Sequence, residues 1–166
     1  MNRVAQGGIA AAIVLVVDQA SKYWVLYRLD LPSIGSLDVV PMFSLTMVWN
    51  RGVTFGLLAG LGSFGSWILA AVALAVVLAL FLWLRRAEKT SVAVALGAIA
   101  GGAVGNVIDR VRFGAVVDFL HAHAFGWSWY VFNMADAAIV CGVATLVIDS
   151  ISSKPTPTLA DTKSQR

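Results

Sequence analysis

Four long stretches almost free of charge constrain this chain more than any other feature. Fourteen uncharged residues separate Arg3 from Asp18, an uncharged run of 33 covers residues 52–84, and 19 more occupy 90–108. A further apolar segment runs from 131 to 148, interrupted by Asp136. About 20 apolar residues in a helix cross the hydrocarbon core of a bilayer, and a helix bonds its own backbone groups where no water is present to do so. Charged residues make up 13% of the chain, roughly half the share of a soluble domain, and mean hydropathy is +0.82. The reading is an all-α integral membrane protein, a four-transmembrane-helix bundle, with spans at about 5–26, 64–84, 90–110 and 131–149. At 166 residues it leaves no room for a large separate soluble domain.

The first span is not read as a cleaved leader. No A-x-A-like site precedes a polar start, and apolar sequence resumes at Tyr23-Trp-Val-Leu-Tyr27. In the 33-residue run, Gly56, Gly60, Gly62 and Gly65 disfavour helix in the first part, so the span begins near 64. Basic residues set the orientation. Arg3, Arg85, Arg86, Lys89, Lys154, Lys163 and Arg166 fall on one side, and only Arg28, Arg51 and Arg112 fall in the opposite connections. The positive-inside rule then places both termini in the cytoplasm and segments 28–62 and 111–130 outside.

In the first outer segment Phe43, Leu45, Met47 and Trp49 alternate with Ser44, Thr46 and Val48, which predicts a strand and a small extracytoplasmic β-rich segment on the outer leaflet. Trp127, Trp129, Tyr130 and Phe132 read as an interfacial aromatic belt. Residues 1–150 form one membrane-embedded domain, and the polar tail 151–166 reads as disordered and cytoplasmic. No basic run suits nucleic acid. A single cysteine, Cys141, excludes an internal disulfide and any cysteine metal cluster.

An ionised side chain at membrane depth costs about 2.5–3.5 kcal/mol even on a lenient scale, so each needs a partner or a task. On the predicted topology Asp18, Lys22, Asn50, Asn106, Arg110, Asp118, Asn133 and Asp136 fall in one thin layer near the outer leaflet. Asp18 and Lys22, four residues apart, can pair along a helix. Asn106 and Arg110 share a helix face beside Asp109, beyond a small-residue stripe of Ala93, Gly97, Gly101 and Gly105 that admits a neighbouring helix. Two carboxyls in one low-dielectric cleft share a proton, so Asp118 and Asp136 could act as general acid and general base. The alternative is that each acid caps or pairs structurally with its Asn and Arg neighbours. His121 and His123 share a strand face but lack a third ligand, which disfavours zinc. Neither H-E-x-x-H nor G-x-S-x-G is present.

Five ordered motifs carry a family resemblance: Asp18-Gln19-x-Ser21-Lys22, Asn50-x-Gly52-x-x-Phe55-Gly56, Gly101-Gly102-Ala103-x-Gly105-Asn106-x-x-Asp109-Arg110, Val117-Asp118-Phe119, and Phe132-Asn133-x-Ala135-Asp136. Over about residues 5–148 the chain resembles the signal peptidase II family, bacterial membrane aspartyl peptidases that process lipoproteins. The resemblance implies Asp118 and Asp136 as the catalytic pair. It implies Asn50, Asn106, Arg110 and Asn133 around substrate, Asp18, Lys22 and Asp109 as supports, and no metal or cofactor. It further implies a bacterial inner-membrane monomer, in contact with membrane phospholipid, that cuts diacylglyceryl-modified prolipoproteins on the amino side of the lipidated cysteine. Thr54 departs from the Ala common in the second motif. A transporter would distribute its ionisable groups through the membrane depth, and an assembly factor would use the glycine stripe for partner helices. The one-sided polar layer favours the peptidase.

Overall fold

The computed structural model describes residues 1–52 and 62–152. Thr54, the Phe55-Gly56 end of the second motif, the glycines at 56 and 60, and the tail from 153 onward lie outside the described residues. The four long helices are α1 (Arg3–Tyr23, continued by a π-helical turn, Trp24–Arg28), α3 (Gly62–Leu84), α4 (Thr90–Phe113) and α5 (Met134–Ser152). Each is long and apolar enough to cross a membrane. A short α2 (Leu31–Ile34) leads into a hairpin of β1 (Ser36–Val40) and β2 (Phe43–Asn50), and β3 (Val116–Ala124) and β4 (Trp127–Ser128) follow α4. The strands form one antiparallel sheet in the order β1-β2-β3-β4.

Helix α4 is the hub and packs against α1, α3 and α5. Its most apolar window is 56% buried, against 11–22% in the other three, because they keep most of their surface for lipid. The small-residue stripe makes this packing possible. A side chain at Gly97 would strike the Gly7 backbone, one at Gly101 the Ala11 backbone, and one at Gly105 the Asp18 carboxylate. Gly102 and Gly142 bring α4 and α5 together in the same way, against Ala135 and Ala95 respectively. In lipid, such close backbone approach replaces the hydrophobic drive that holds helices together in water.

One end of the bundle gathers Arg3, Glu88 and Thr90, where Arg3 bonds the Glu88 carbonyl at 2.8 Å and the Thr90 hydroxyl. Lys89 pairs with Asp149 at 3.0 Å at the same end. The sheet sits at the other end, joined to the helices by a small core of Val25, Leu26, Leu31, Val117 and Phe119. Leu45, Met47, Phe113 and Met134 pack around that core. It fixes β3 over the ends of α1 and α4.

The helix bounds differ from the sequence reading most at the sheet end, and at the other end α5 runs on to Ser152, so Ile151 and Ser152 are helix rather than tail. Helix α4 runs on to Phe113 and stops where Gly114, at φ +68°, donates back to the Arg110 carbonyl at 3.0 Å. Helix α5 begins at Met134, three residues later than the apolar run, because Phe132 exchanges backbone bonds with Leu120 at 2.8–3.0 Å. Asn133 then caps the helix. Its Oδ1 accepts from the Asp136 N–H at 2.9 Å, and its own N–H donates to Asp136 Oδ2 at 3.3 Å, a reciprocal capping box.

The glycine packing is directly testable. Gly97→Ala drives a methyl into the α1 backbone and should destabilise the bundle by about 2 kcal/mol or more. Gly8→Ala, which meets open space, should leave stability equal or raise it by up to about 1 kcal/mol. Thermal unfolding in detergent distinguishes the two.

Candidate active site

Lys22, one helical turn beyond Asp18, reaches Asp18 Oδ2 at 2.8 Å, Asp109 Oδ2 at 2.8 Å and Asn106 Oδ1 at 3.1 Å. Its three ammonium protons therefore have three oxygen acceptors inside the protein, the condition for burying a lysine. The two acids are satisfied in turn. Asp18 Oδ1 accepts from the Ala135 N–H at 3.0 Å, and Asp109 Oδ2 from the Val117 N–H at 3.1 Å. One ion triad thus fastens α1 to α4, to the first turn of α5 and to the start of β3.

Gln19 belongs to the same cluster; the first motif includes it without giving it a site role. Its Nε2 lies within hydrogen-bond distance of Asp18 Oδ2 at 3.2 Å, Asp109 Oδ1 at 3.1 Å and the Gly105 carbonyl at 3.3 Å. Its position between two intramembrane charged residues was the available signal, and its partners, 86 and 90 residues away, were not.

Above the triad, three asparagines connect it to Asp118 and Asp136. Asn106 accepts from Lys22, which fixes its amide so that Nδ2 points to Asp136 Oδ1 at 2.9 Å. Asn133 Nδ2 donates to Asp118 Oδ1 at 2.7 Å and lies 3.2 Å from Asn106 Oδ1. Asn50 Nδ2 donates to Asp118 Oδ2 at 2.9 Å. Each of the four carboxyl oxygens of Asp118 and Asp136 therefore accepts a hydrogen bond, with the Asn133 N–H serving Asp136 Oδ2.

Register explains how β2 delivers Asn50. A bulge between Leu45 and Val48 adds a residue to β2, so Val48 lies opposite Asp118 and Asn50 opposite Val116. Both acids open on a cleft of about 610 Å³, walled by Val48, Trp49, Arg51, Tyr130 and Phe132. Trp49, Arg51 and Tyr130 have no site role in the sequence reading, where they stand as a strand-face, a connecting-segment and a belt residue respectively.

The two carboxyls are unlike. Asp118 is 1% exposed on a strand, and burial pushes its carboxyl up from the ordinary 3.8 to about 6, with the neighbouring Asp136 adding to the rise. The amides of Asn50 and Asn133 oppose the rise by favouring the anion. Asp136 occupies the first turn of α5, where the positive end of the helix dipole favours negative charge. Arg110 donates to the Asn106 carbonyl at 3.2 Å, while its buried Nε has no hydrogen-bond partner. Besides Arg51 in the cleft wall, this layer sets two cations, Lys22 and Arg110, against four carboxyls, Asp18, Asp109, Asp118 and Asp136. A proton retained by the Asp118–Asp136 pair relieves the imbalance.

All nine residues singled out in the sequence meet in this network or in its supporting triad. His121 and His123 stand apart, on the face of β3 opposite Asp118, and bond to hydroxyls of β2 and β4.

Comparison with solved structures defines the class first. A bacterial membrane enzyme determined by the in meso method at 2.3 Å resolution superposes with a TM-score of 0.75, covering 93% of this chain and 95% of its own, at 25% identity. A second, at 1.9 Å, gives 0.75 over 90% and 95% at 28% identity. The fold is that of a membrane-embedded bacterial enzyme. The sequence then fixes the family: the model for Peptidase_A8, signal peptidase (SPase) II, matches residues 10–152. The lipoprotein signal peptidase of Methylorubrum extorquens strain PA1 is 50% identical over 155 residues, 93% of this chain and 91% of that protein. That of Rhodopseudomonas palustris strain CGA009 is 43% identical over 159 residues, 93% and 97% of the two chains. This chain belongs to the signal peptidase II family and is a peptidase.

The raised Asp118 carboxyl carries a signed prediction. The folded protein binds this proton more tightly than the unfolded chain does, so the group favours folding most below about pH 4, and that contribution is lost as pH rises through about 6. Asp118→Asn removes the titration. Its unfolding midpoint should therefore fall less than the parent's between pH 4 and 7, measured by thermal denaturation across that range.

Proposed function

We propose that this chain is a lipoprotein signal peptidase working as an aspartyl endopeptidase, with Asp118 and Asp136 as its catalytic pair. The observation that carries the reading is the pair itself: two carboxyls held by Asn50, Asn106 and Asn133, facing one cleft at the sheet end of a membrane bundle. Family membership and the names of the relatives support the substrate class. That substrate is a prolipoprotein whose cysteine already carries a diacylglyceryl group, cut on the amino side of that cysteine.

We infer the roles of the two acids from their environments. Asp136, at a helix N-terminus and fed by amide donors, is the general base. Asp118, more deeply buried and on a strand, holds the shared proton and is the general acid. Water gives a proton to Asp136 as its oxygen attacks the scissile carbonyl, and Asp118 gives its proton to the carbonyl oxygen. In collapse of the tetrahedral diol, Asp118 recovers a proton from one hydroxyl, and Asp136 passes its proton to the leaving cysteine nitrogen. The products are the signal peptide carboxylate and the free amino group of the lipidated cysteine. Asn50, Asn106, Asn133 and Arg110 bind peptide and lipid, and the Arg110 Nε is a donor awaiting an acceptor. Asp18, Lys22 and Asp109 hold these groups in register.

The setting is the inner membrane of a bacterium. The end that gathers Arg3, Arg85, Arg86 and Lys89 faces the cytoplasm with both termini, and the sheet and cleft lie at the outer leaflet. Substrate acyl chains enter sideways between phospholipids, and the monomer suffices for catalysis.

Asp118→Asn and Asp136→Asn should each lower turnover of a lipid-modified prolipoprotein by about 10³-fold or more while inserting normally. The mass shift of substrate incubated with purified protein reads this, and full activity in both variants would overturn the assignment. Activity of the parent should decline on an alkaline limb at or above about pH 6, as Asp118 loses its proton. A prolipoprotein without the diacylglyceryl group should be cut far more slowly, and equal rates would refute lateral lipid entry.

A further inference from the structure

We propose that His121 and His123, the only two histidines of the chain, form a site for a divalent transition metal, zinc or copper(II), on the sheet face opposite Asp118. The rings stand 5.3 Å apart between centroids, at an interplanar angle of 54°. Two imidazoles on one tetrahedral zinc, with Zn–N bonds of about 2.0–2.1 Å, place their centroids about 5.2 Å apart. The i, i+2 spacing on β3 holds both rings on one face, and they border an open hollow of about 750 Å³ shared with Asp38, Ser44 and Ser128.

The hydrogen bonds around the pair already have the form of a metal site's outer shell. Ser44 donates its one proton to Asp38 Oδ1 at 2.6 Å, so its contact with His123 Nε2 at 2.7 Å requires the imidazole to carry hydrogen on Nε2. The Nδ1 lone pair of His123 is then free for a metal without loss of a hydrogen bond. The carboxylate–hydroxyl–imidazole chain Asp38–Ser44–His123 locks that tautomer and ring orientation, as hydrogen-bonded partners do for metal-bound histidines. His121 bonds Thr46 Oγ1 through Nδ1 at 3.2 Å and Ser128 Oγ through Nε2 at 2.7 Å. It can yield one hydroxyl to the metal and keep the other as its orienting partner.

Among the described residues no group of three histidine, cysteine, aspartate or glutamate side chains could hold a metal. The remaining coordination positions therefore fall to water and hydroxyl, and the bound ion exchanges with solution. Imidazole nitrogen suits copper(II) and zinc and excludes calcium and magnesium, with copper(II) the tighter of the two. The ion would brace β3 against β2 and β4, remote from the peptide chemistry.

The test uses full-length protein in detergent, made without a polyhistidine tag and stripped with chelator. Copper(II) should bind one per chain, and its electron paramagnetic resonance should show nitrogen hyperfine structure from two imidazoles. His121→Ala and His123→Ala should each weaken binding by more than about tenfold, and Asp38→Ala by about tenfold through the lost tautomer lock. Cys141→Ser should change nothing. A second measurement needs no variant: zinc should protect the unmutated protein from diethyl pyrocarbonate, followed by the ultraviolet absorbance of N-carbethoxyhistidine, to which only His121 and His123 contribute. Absence of saturable copper binding, binding unaltered in both histidine variants, or unprotected modification would each overturn the proposal.

Discussion

The buried ammonium of Lys22 is the interaction on which the rest of the structure depends. A lysine inside a membrane bundle is tolerable only if its charge and all three protons are answered within the protein. Asp18, Asp109 and Asn106 answer them. Because those partners come from α1 and α4, and because the same carboxylates accept backbone protons from Ala135 and Val117, one cation sets the relative position of three helices and the sheet. Loss of Lys22 would leave two carboxylates facing each other in low dielectric, and loss of any one acceptor would leave an ammonium proton without a partner.

Packing and electrostatics are not separable here. Gly105 lacks a side chain where Asp18 needs its carboxylate, and Gly97 and Gly101 bring α1 close enough for that carboxylate to arrive. The stripe read in the sequence as a helix-packing device is also the space in which the ion triad forms. Asn106, on the next residue, takes its amide orientation from Lys22 and passes it to Asp136. A structural charge thereby determines which hydrogen-bond donors the candidate dyad meets.

The bundle and the membership of the polar layer were legible in the sequence because lipid makes charge and hydrogen bonding expensive. Asp18, Lys22, Asp109, Asp118 and Asp136 could not stand in apolar sequence without reason. What stayed illegible depended on long-range register. The helix start at Met134 is set by the Phe132–Leu120 pairing and the Asn133 cap, and a hydropathy run carries neither. Gln19 and the β2 bulge were hidden for the same reason: their effect exists only once residues some 70 to 90 positions away are brought alongside. The histidines read in the sequence as two ligands short of a third. The Asp38–Ser44 connection that fixes their protons crosses strands and had no local signature.

The bond from Asp18 to the Ala135 N–H spans 117 residues, and its two ends belong to the first and last long helices in chain order. In a chain made from its N-terminus, α1 and α4 can meet and pair Lys22 while the α5 segment is still being synthesised. Asp18 then has an unanswered oxygen, Asn106 has no carboxylate to hold, and Asp118 lacks Asn133. Arrival of α5 completes all three at once. The polar layer therefore closes only when the last long helix in chain order reaches the first, and a chain without α5 holds neither the amide of Asn133 nor the carboxylate of Asp136.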